Sequence, residues 1–101
     1  MKRLQNIHPG LILKEEFLAL LNITAYRLAK ETGIPQTRIS QILQFKRSVS
    51  ADTAIRFSKF FGTSPQFWLG LQNDFDLEEE MLKKRKEFNE IQSYKDLPLA
   101  S

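Results

Sequence analysis

The sequence predicts an all-α fold of five helices in a single small domain. Apolar residues recur at three- and four-residue spacing almost throughout, and no segment alternates apolar with polar residues in a β-branched background. Helix start and stop signals also punctuate the chain. With 101 residues, 42% of them hydrophobic, the chain is long enough for one core and too short for two.

The first helix opens at His8-Pro9-Gly10, where proline suits a first-turn position, and runs to about Leu21. Leu13, Phe17, Leu20 and Leu21 form its expected buried stripe, and Asn22 ends it. Thr24 caps a short second helix, Ala25 to Thr32, which Gly33 stops. Pro35 starts a third helix to about Gln44, with Ile39, Ile42 and Leu43 inward. Its outward residues Gln36, Thr37, Arg38, Ser40, Gln41 and Gln44 carry a single charge. Ser50 caps a fourth helix in which Ala54, Ile55, Phe57, Phe60 and Phe61 pack before Gly62. Ser64-Pro65 repeats the start signal for a fifth helix bearing Phe67, Trp68, Leu71 and Phe75, which continues or restarts to about Ile91. In that stretch Glu79 and Lys83, and Glu80 and Lys84, stand four apart in the stabilising order, as on a solvated helix. The expected division is therefore a domain over residues 1–91 and a loose tail over residues 92–101.

Composition excludes several functions. There is no cysteine and only one histidine, His8, which removes disulfides, thiol catalysis and a His/Cys zinc site and suits a reducing cytoplasm. No apolar run approaches a membrane span, and Met1-Lys2-Arg3 leads into a mixed stretch, so an unprocessed, soluble, cytoplasmic protein is expected. Glu15 and Glu16 are adjacent on a helix and point about 100° apart, which argues against a general acid/base pair. His8 has no partners in sequence for catalysis or metal binding and is read as a capping or packing residue. Neither a glycine-rich phosphate loop nor a nucleophile signature is present, so the chain is read as a non-enzyme without cofactor or metal.

The net charge of +3 is modest, but its distribution is uneven. From Thr24 to Lys59 seven cations face two acids, whereas from Asp74 to Glu90 seven acids face four bases. The middle of the chain is thus the part suited to phosphates. It also holds what a helix-turn-helix requires: a small residue at the helix crossing, a residue tolerant of positive φ, and apolar residues inside the second helix. Ala29, Gly33, Ile34, Ile39 and Ile42 meet these needs in order.

Leu28-Ala29 through Ile42 resembles the helix-turn-helix of the Xre, or lambda-repressor-like, family. The likeness extends over residues 5–78. Ile7-His8-Pro9-Gly10, Glu15-Glu16-Phe17, Gly33-Ile34-Pro35, Lys46-Arg47, Ala51-Asp52-Thr53-Ala54, Phe60-Phe61-Gly62-Thr63-Ser64 and Phe67-Trp68-Leu69 resemble the HigA (VapI) antitoxins of toxin–antitoxin modules. The resemblance implies a lambda-repressor-like domain whose helix-turn-helix is formed by helices 2 and 3, with an extended C-terminal helix. The third helix then enters the major groove, with Gln36, Thr37, Arg38, Ser40 and Gln41 facing base edges. Thr24, Tyr26, Lys46 and Arg47 fall where phosphate contacts are usual. One residue departs from the family: Phe45 stands where glycine usually precedes the Lys-Arg pair, which predicts a different turn after the third helix.

A single helix-turn-helix reads few bases, so a homodimer is expected. The fifth helix carries more apolar surface than so small a domain hides, and Phe75, Leu77, Met81 and Phe88 are assigned to a partner helix. The resemblance further implies operator DNA and a HigB-type ribonuclease toxin as partners. Two alternatives stay open at this stage: a module that sequesters a toxin without binding DNA, suggested by Phe45 and the weakly charged third helix, and a stand-alone phage-type repressor.

Overall fold

The computed structural model describes residues 6–98, and every regular element among them is helical. Helix α1 spans residues 9–21, α2 is Ala25–Thr32, α3 Gln36–Leu43, α4 Ala51–Phe61, α5 Pro65–Lys83 and α6 Arg85–Asn89, followed by a 3-10 turn at Tyr94–Asp96. Thr24, Ser50 and Ser64 each accept the amide N–H of the residue three further on, Arg27, Thr53 and Phe67. Each cap fills a donor that the first helical turn would leave unpaired. The expectations that fall on residues 1–5 and 99–101 lie outside the described residues.

The middle of α1 is not an α-helix. Leu13–Leu18 is π-helical, with the Ala19 N–H donating to the Lys14 carbonyl. This wider turn returns the fifth residue, not the fourth, to the inner face. Leu13 and Leu18 are accordingly the buried pair and Phe17 packs at the rim, while Leu20 and Leu21, expected in the stripe, are exposed. Asn22 then closes the helix at φ 56°, with Ile23 N–H donating to the Leu18 carbonyl at 2.9 Å and its own N–H to that of Ala19 at 3.3 Å. These are the two bonds of a Schellman ending.

Trp68 lies at the centre of the core, fully buried. Its ring centroid is 4.9 Å from Phe17, 5.0 Å from Phe57 and 5.1 Å from Phe67, and its indole N–H donates to Thr63 Oγ1 at 2.8 Å. Well-oriented aromatic pairs add about 0.5–1.5 kcal/mol each beyond burial. The cluster therefore joins α1, α4 and α5. Ile55, expected to pack here, is exposed: α4 turns Thr53, Ala54, Phe57 and Ser58 inward, and a residue next to Ala54 points about 100° away. Phe67 is likewise on the rim, 39% exposed.

Beyond its first half α5 leaves the body, and residues 81–98 are all exposed. Lys84, at φ −122° and ψ 30°, interrupts the helix before α6 restarts it. The radius of gyration is 18.2 Å and the longest extent 61 Å. A compact chain of this length would have a radius near ~13 Å.

The start of α1 sits against the end of α3. A Cβ on Gly10 would stand 2.0 Å from the Ile42 carbonyl oxygen, so only glycine fits. His8 caps α1 through Nδ1, which accepts the Gly10 N–H at 2.9 Å, and its ring lies 5.3 Å from Phe45 and 4.8 Å from Phe75. Burial lowers the His8 pKa from its ordinary 6.5; the Asp76 carboxylate and a hydrogen bond to the Arg47 backbone oppose that shift.

The fold thus holds His8 neutral, and between its depressed value and 6.5 the unfolded chain binds the extra proton. This contribution to stability is complete above pH 6.5 and is lost as pH falls through the folded value. Thermal melts from pH 7.5 to 5.5 should show Tm declining, and His8→Asn, whose Oδ1 can still accept the Gly10 N–H, should remove the histidine's part of the decline. An equal decline in both proteins would exclude His8 as its source.

Candidate nucleic-acid interface

Helices α2 and α3, joined through Gly33, Ile34 and Pro35, form the helix-turn-helix. Gly33 ends α2 at φ 72°, a conformation that glycine adopts without a Cβ clash. Ala29, Ile34, Ile39 and Ile42 are buried and lock the two helices together. Thr32 Oγ1 donates to the Leu28 carbonyl at 2.6 Å and accepts from the Ile34 N–H at 3.3 Å, which ties the turn to the end of α2.

This packing leaves one face of α3 outside. Gln36, Thr37, Gln41 and Gln44 are exposed and Ser40 is half-buried. The Gln44 amide donates to Ser40 Oγ at 3.1 Å, and Arg47 Nε donates to Gln41 Oε1 at 2.7 Å. Arg47 and Gln41 are thus brought together, with Lys46 exposed beside them. Thr24 is occupied as the cap of α2, and Tyr26 follows it, 62% exposed. A surface of amides, hydroxyls and flanking cations without a fixed negative charge can donate to and accept from base edges while meeting phosphate at its ends.

Arg38 is placed differently from the outer-face position expected of it. Its guanidinium turns toward α4, donating to Asp52 Oδ2 at 2.9 Å and Thr53 Oγ1 at 3.4 Å. Asp52 also accepts from Arg56 Nε at 3.0 Å, and Arg56 in turn donates to the Thr32 carbonyl at 2.9 Å. These arginine hydrogen bonds hold the Asp52 carboxyl below its ordinary pKa. The chain Arg38–Asp52–Arg56–Thr32 links α3, α4 and the end of α2, so its worth is geometric: it sets how far α3 stands out. Sequence reading counted Asp52 only as an acid; the signal available was its place in the first turn of α4.

The turn after α3 is the left-handed one, despite Phe45. Phe45 adopts φ 64°, its N–H donates to the Ile42 carbonyl at 3.0 Å, and the Lys46 N–H donates to that of Gln41 at 2.8 Å. The phenylalanine therefore occupies the position where glycine usually closes a Schellman motif, against a steric cost of roughly 1–2 kcal/mol. Its ring contact with His8 offsets part of that cost. Four residues after Phe45, the Val49 N–H donates to the buried Gln72 Oε1 at 2.8 Å, and Gln72 Nε2 donates to Asp76 at 2.9 Å. Gln72 thereby fixes the connection to α4 against α5.

Of the residues assigned to a partner helix, Phe75 is half-buried and edge-on to His8, so the fold already uses it. Leu77, Met81 and Phe88 are exposed at 62%, 59% and 40%. One depression, lined by Ile7, Ile12, Leu71 and Phe75, lies beside the first half of α5, and another, lined by Met81, Leu82 and Phe88, lies where α5 meets α6. Among the described residues no cluster of His, Cys, Asp or Glu could hold a metal ion, and no helix is long and apolar enough to cross a membrane.

The helix-turn-helix family model matches residues 13–68. "Virulence-associated protein I" of Dichelobacter nodosus is 42% identical over 71 residues, which cover 70% of this chain and 66% of that protein. The chain thus spans just under two thirds of that relative's length. A solved Pseudomonas aeruginosa antitoxin HigA with higBA promoter superposes with a TM-score of 0.85 at 35% identity, covering 89% of this chain and 99% of the other. An addiction module antidote protein of the HigA family from Coxiella burnetii gives 0.84 at 44% identity, covering 90% and 100%.

The strain at Phe45 can be isolated. Phe45→Ala removes the ring but keeps a Cβ at positive φ, whereas Phe45→Gly removes both. In urea melts Phe45→Ala should be the less stable of the two by about 1 kcal/mol. Equal stabilities would show that the turn relaxes once the ring is gone.

Proposed function

Because the chain belongs to the HigA family of helix-turn-helix antitoxins, which are DNA-binding regulators and not enzymes, we propose that it binds the operator of its own gene as a dimer and represses it, and that it neutralises a ribonuclease toxin. The observation that carries this reading is the outer face of α3: four exposed polar side chains and the half-buried Ser40, all uncharged, lead into a turn that presents Lys46 and Arg47. The solved relative with its promoter supports DNA as the ligand. In this reading Gln36, Thr37, Ser40 and Gln41 read base edges, with glutamine amides suited to adenine N6/N7 and the threonine methyl to a thymine methyl. Thr24, Tyr26, Lys46 and Arg47 take phosphates, and Arg38 supports α3 from behind while bonded to Asp52.

The projecting half of α5 supports the dimer in this reading. A helix whose exposed residues include Leu77, Met81 and Phe88 lowers its free energy by burying them against a second copy. The acidic charge of the same stretch keeps it away from DNA. The toxin enters through family membership, and the exposed apolar residues that follow α6, among them Ile91 and Leu97, are available to it. Residues 92–98 hold only the turn capped by Ser93, which suits a segment that a partner orders.

Titration into a labelled upstream duplex and a scrambled duplex of equal length, followed by anisotropy, should show binding tighter to the first by about a thousandfold or more. Gln41→Ala should narrow that ratio. Lys46→Ala should weaken both duplexes alike and reduce the slope of log K against log salt by about 0.9. Equal, weak binding to both duplexes by the unmodified chain would transfer the proposal to toxin sequestration alone.

Sedimentation at tens of micromolar should give a dimer, and Leu77→Asp with Met81→Asp should give a monomer of unchanged helix content. A monomeric unmodified protein would refute the α5 interface.

A further inference from the structure

Residues 6–10 touch both the projecting helix and the end of the recognition helix. On one side, Asn6 Nδ2 donates to the Phe75 carbonyl at 3.0 Å and to Glu79 Oε2 at 3.1 Å, and the His8 ring meets Phe75 edge-on. On the other, Gly10 lies against the Ile42 carbonyl, the His8 ring packs on Phe45 with centroids 5.3 Å apart, and the Arg47 backbone lies near enough to the imidazole to favour its protonated form. Nothing in the reading of bases or phosphates uses His8, yet it is buried between the helix that would pair two copies and the turn that would carry phosphate contacts.

We infer that His8 is a positioning residue for DNA binding: by holding Phe45 and the Arg47 backbone it fixes the turn that aims Lys46 and Arg47, and registers that turn against α5. The inference rests on the DNA-binding reading above. The physical reason is twofold. A side-chain-bearing residue at positive φ stays there only while its surroundings favour it, and His8 supplies the ring that Phe45 lies on. A turn released from that contact must be ordered again each time it meets DNA, which subtracts from affinity. Arg47 also bonds Gln41, so a displaced turn carries a base-facing amide with it.

The test uses the full chain and a labelled duplex from its own upstream region. His8→Asn keeps the cap on Gly10 but loses the ring and the reach to Arg47. Circular dichroism should show its helix content unchanged, with affinity for the duplex down about tenfold and the salt slope shallower by about 0.9–1.8, one or two phosphate contacts. Arg47→Ala should weaken the unmodified chain yet add little in the His8→Asn background, because the contact is already lost. His8→Gln, whose amide can still reach the Arg47 carbonyl, should recover part of the slope, and it carries the test if His8→Asn fails to fold. A folded His8 variant with the original slope, in which Arg47→Ala costs its full effect, overturns the inference. An unmodified chain that fails to bind the duplex overturns the DNA-binding reading itself, and this inference with it.

Discussion

The contact between the Gly10 backbone and the Ile42 carbonyl is the constraint on which the rest of the arrangement depends. It brings the first turn of α1 against the last turn of α3 with no side chain between them, and a methyl group would stand 2.0 Å from the oxygen. Once that approach is made, His8 can bond Gly10 and cover Phe45, and α1 can carry Leu13 and Phe17 toward the tryptophan cluster. The helix-turn-helix is held from behind by this contact and from the side by the Arg38–Asp52–Arg56 chain. The outer face of α3 is thus held in place largely from behind.

Much of this was legible in the sequence where a local rule decides. The hydroxyl caps at Thr24, Ser50 and Ser64, the stop at Gly33 and the inward Ile39 and Ile42 depend on neighbours a few residues away, and the five main helices follow from them. The π-helical turn did not: Leu13, Phe17, Leu18, Leu20 and Leu21 offer apolar residues at spacings of four, five, seven and eight, so the pattern fits more than one helical pitch. Ile55 reads as core by type and is exposed because the apolar face of α4 is filled by smaller residues around Phe57.

The outer face of α3 was legible as a list of polar residues but not as a geometry. Arg38 belongs to that face by spacing and leaves it because Asp52, fourteen residues on, attracts its guanidinium. His8 was legible as a capping or packing residue, but Gln72 was not legible as a buried one: its Oε1 accepts the Val49 N–H, 23 residues earlier in the chain. Phe45 shows the same limit from the other direction: its local preference disfavours the turn it makes, and a ring 37 residues earlier in the chain offsets part of that cost. Tertiary partners decide these positions, and single-sequence rules do not see them.

The chain has one tryptophan, and it lies in the dry centre of the phenylalanine cluster, away from the outer face of α3 and from the exposed stretch of α5 and α6. Its emission therefore reports on the body alone. An indole in such surroundings emits at short wavelength and moves red only when water reaches it, so intrinsic fluorescence follows global unfolding and is largely silent to events at either end of the molecule. The exposed Tyr26 and Tyr94 sit near the candidate phosphate face and in the tail respectively, and supply the optical handles that the tryptophan does not.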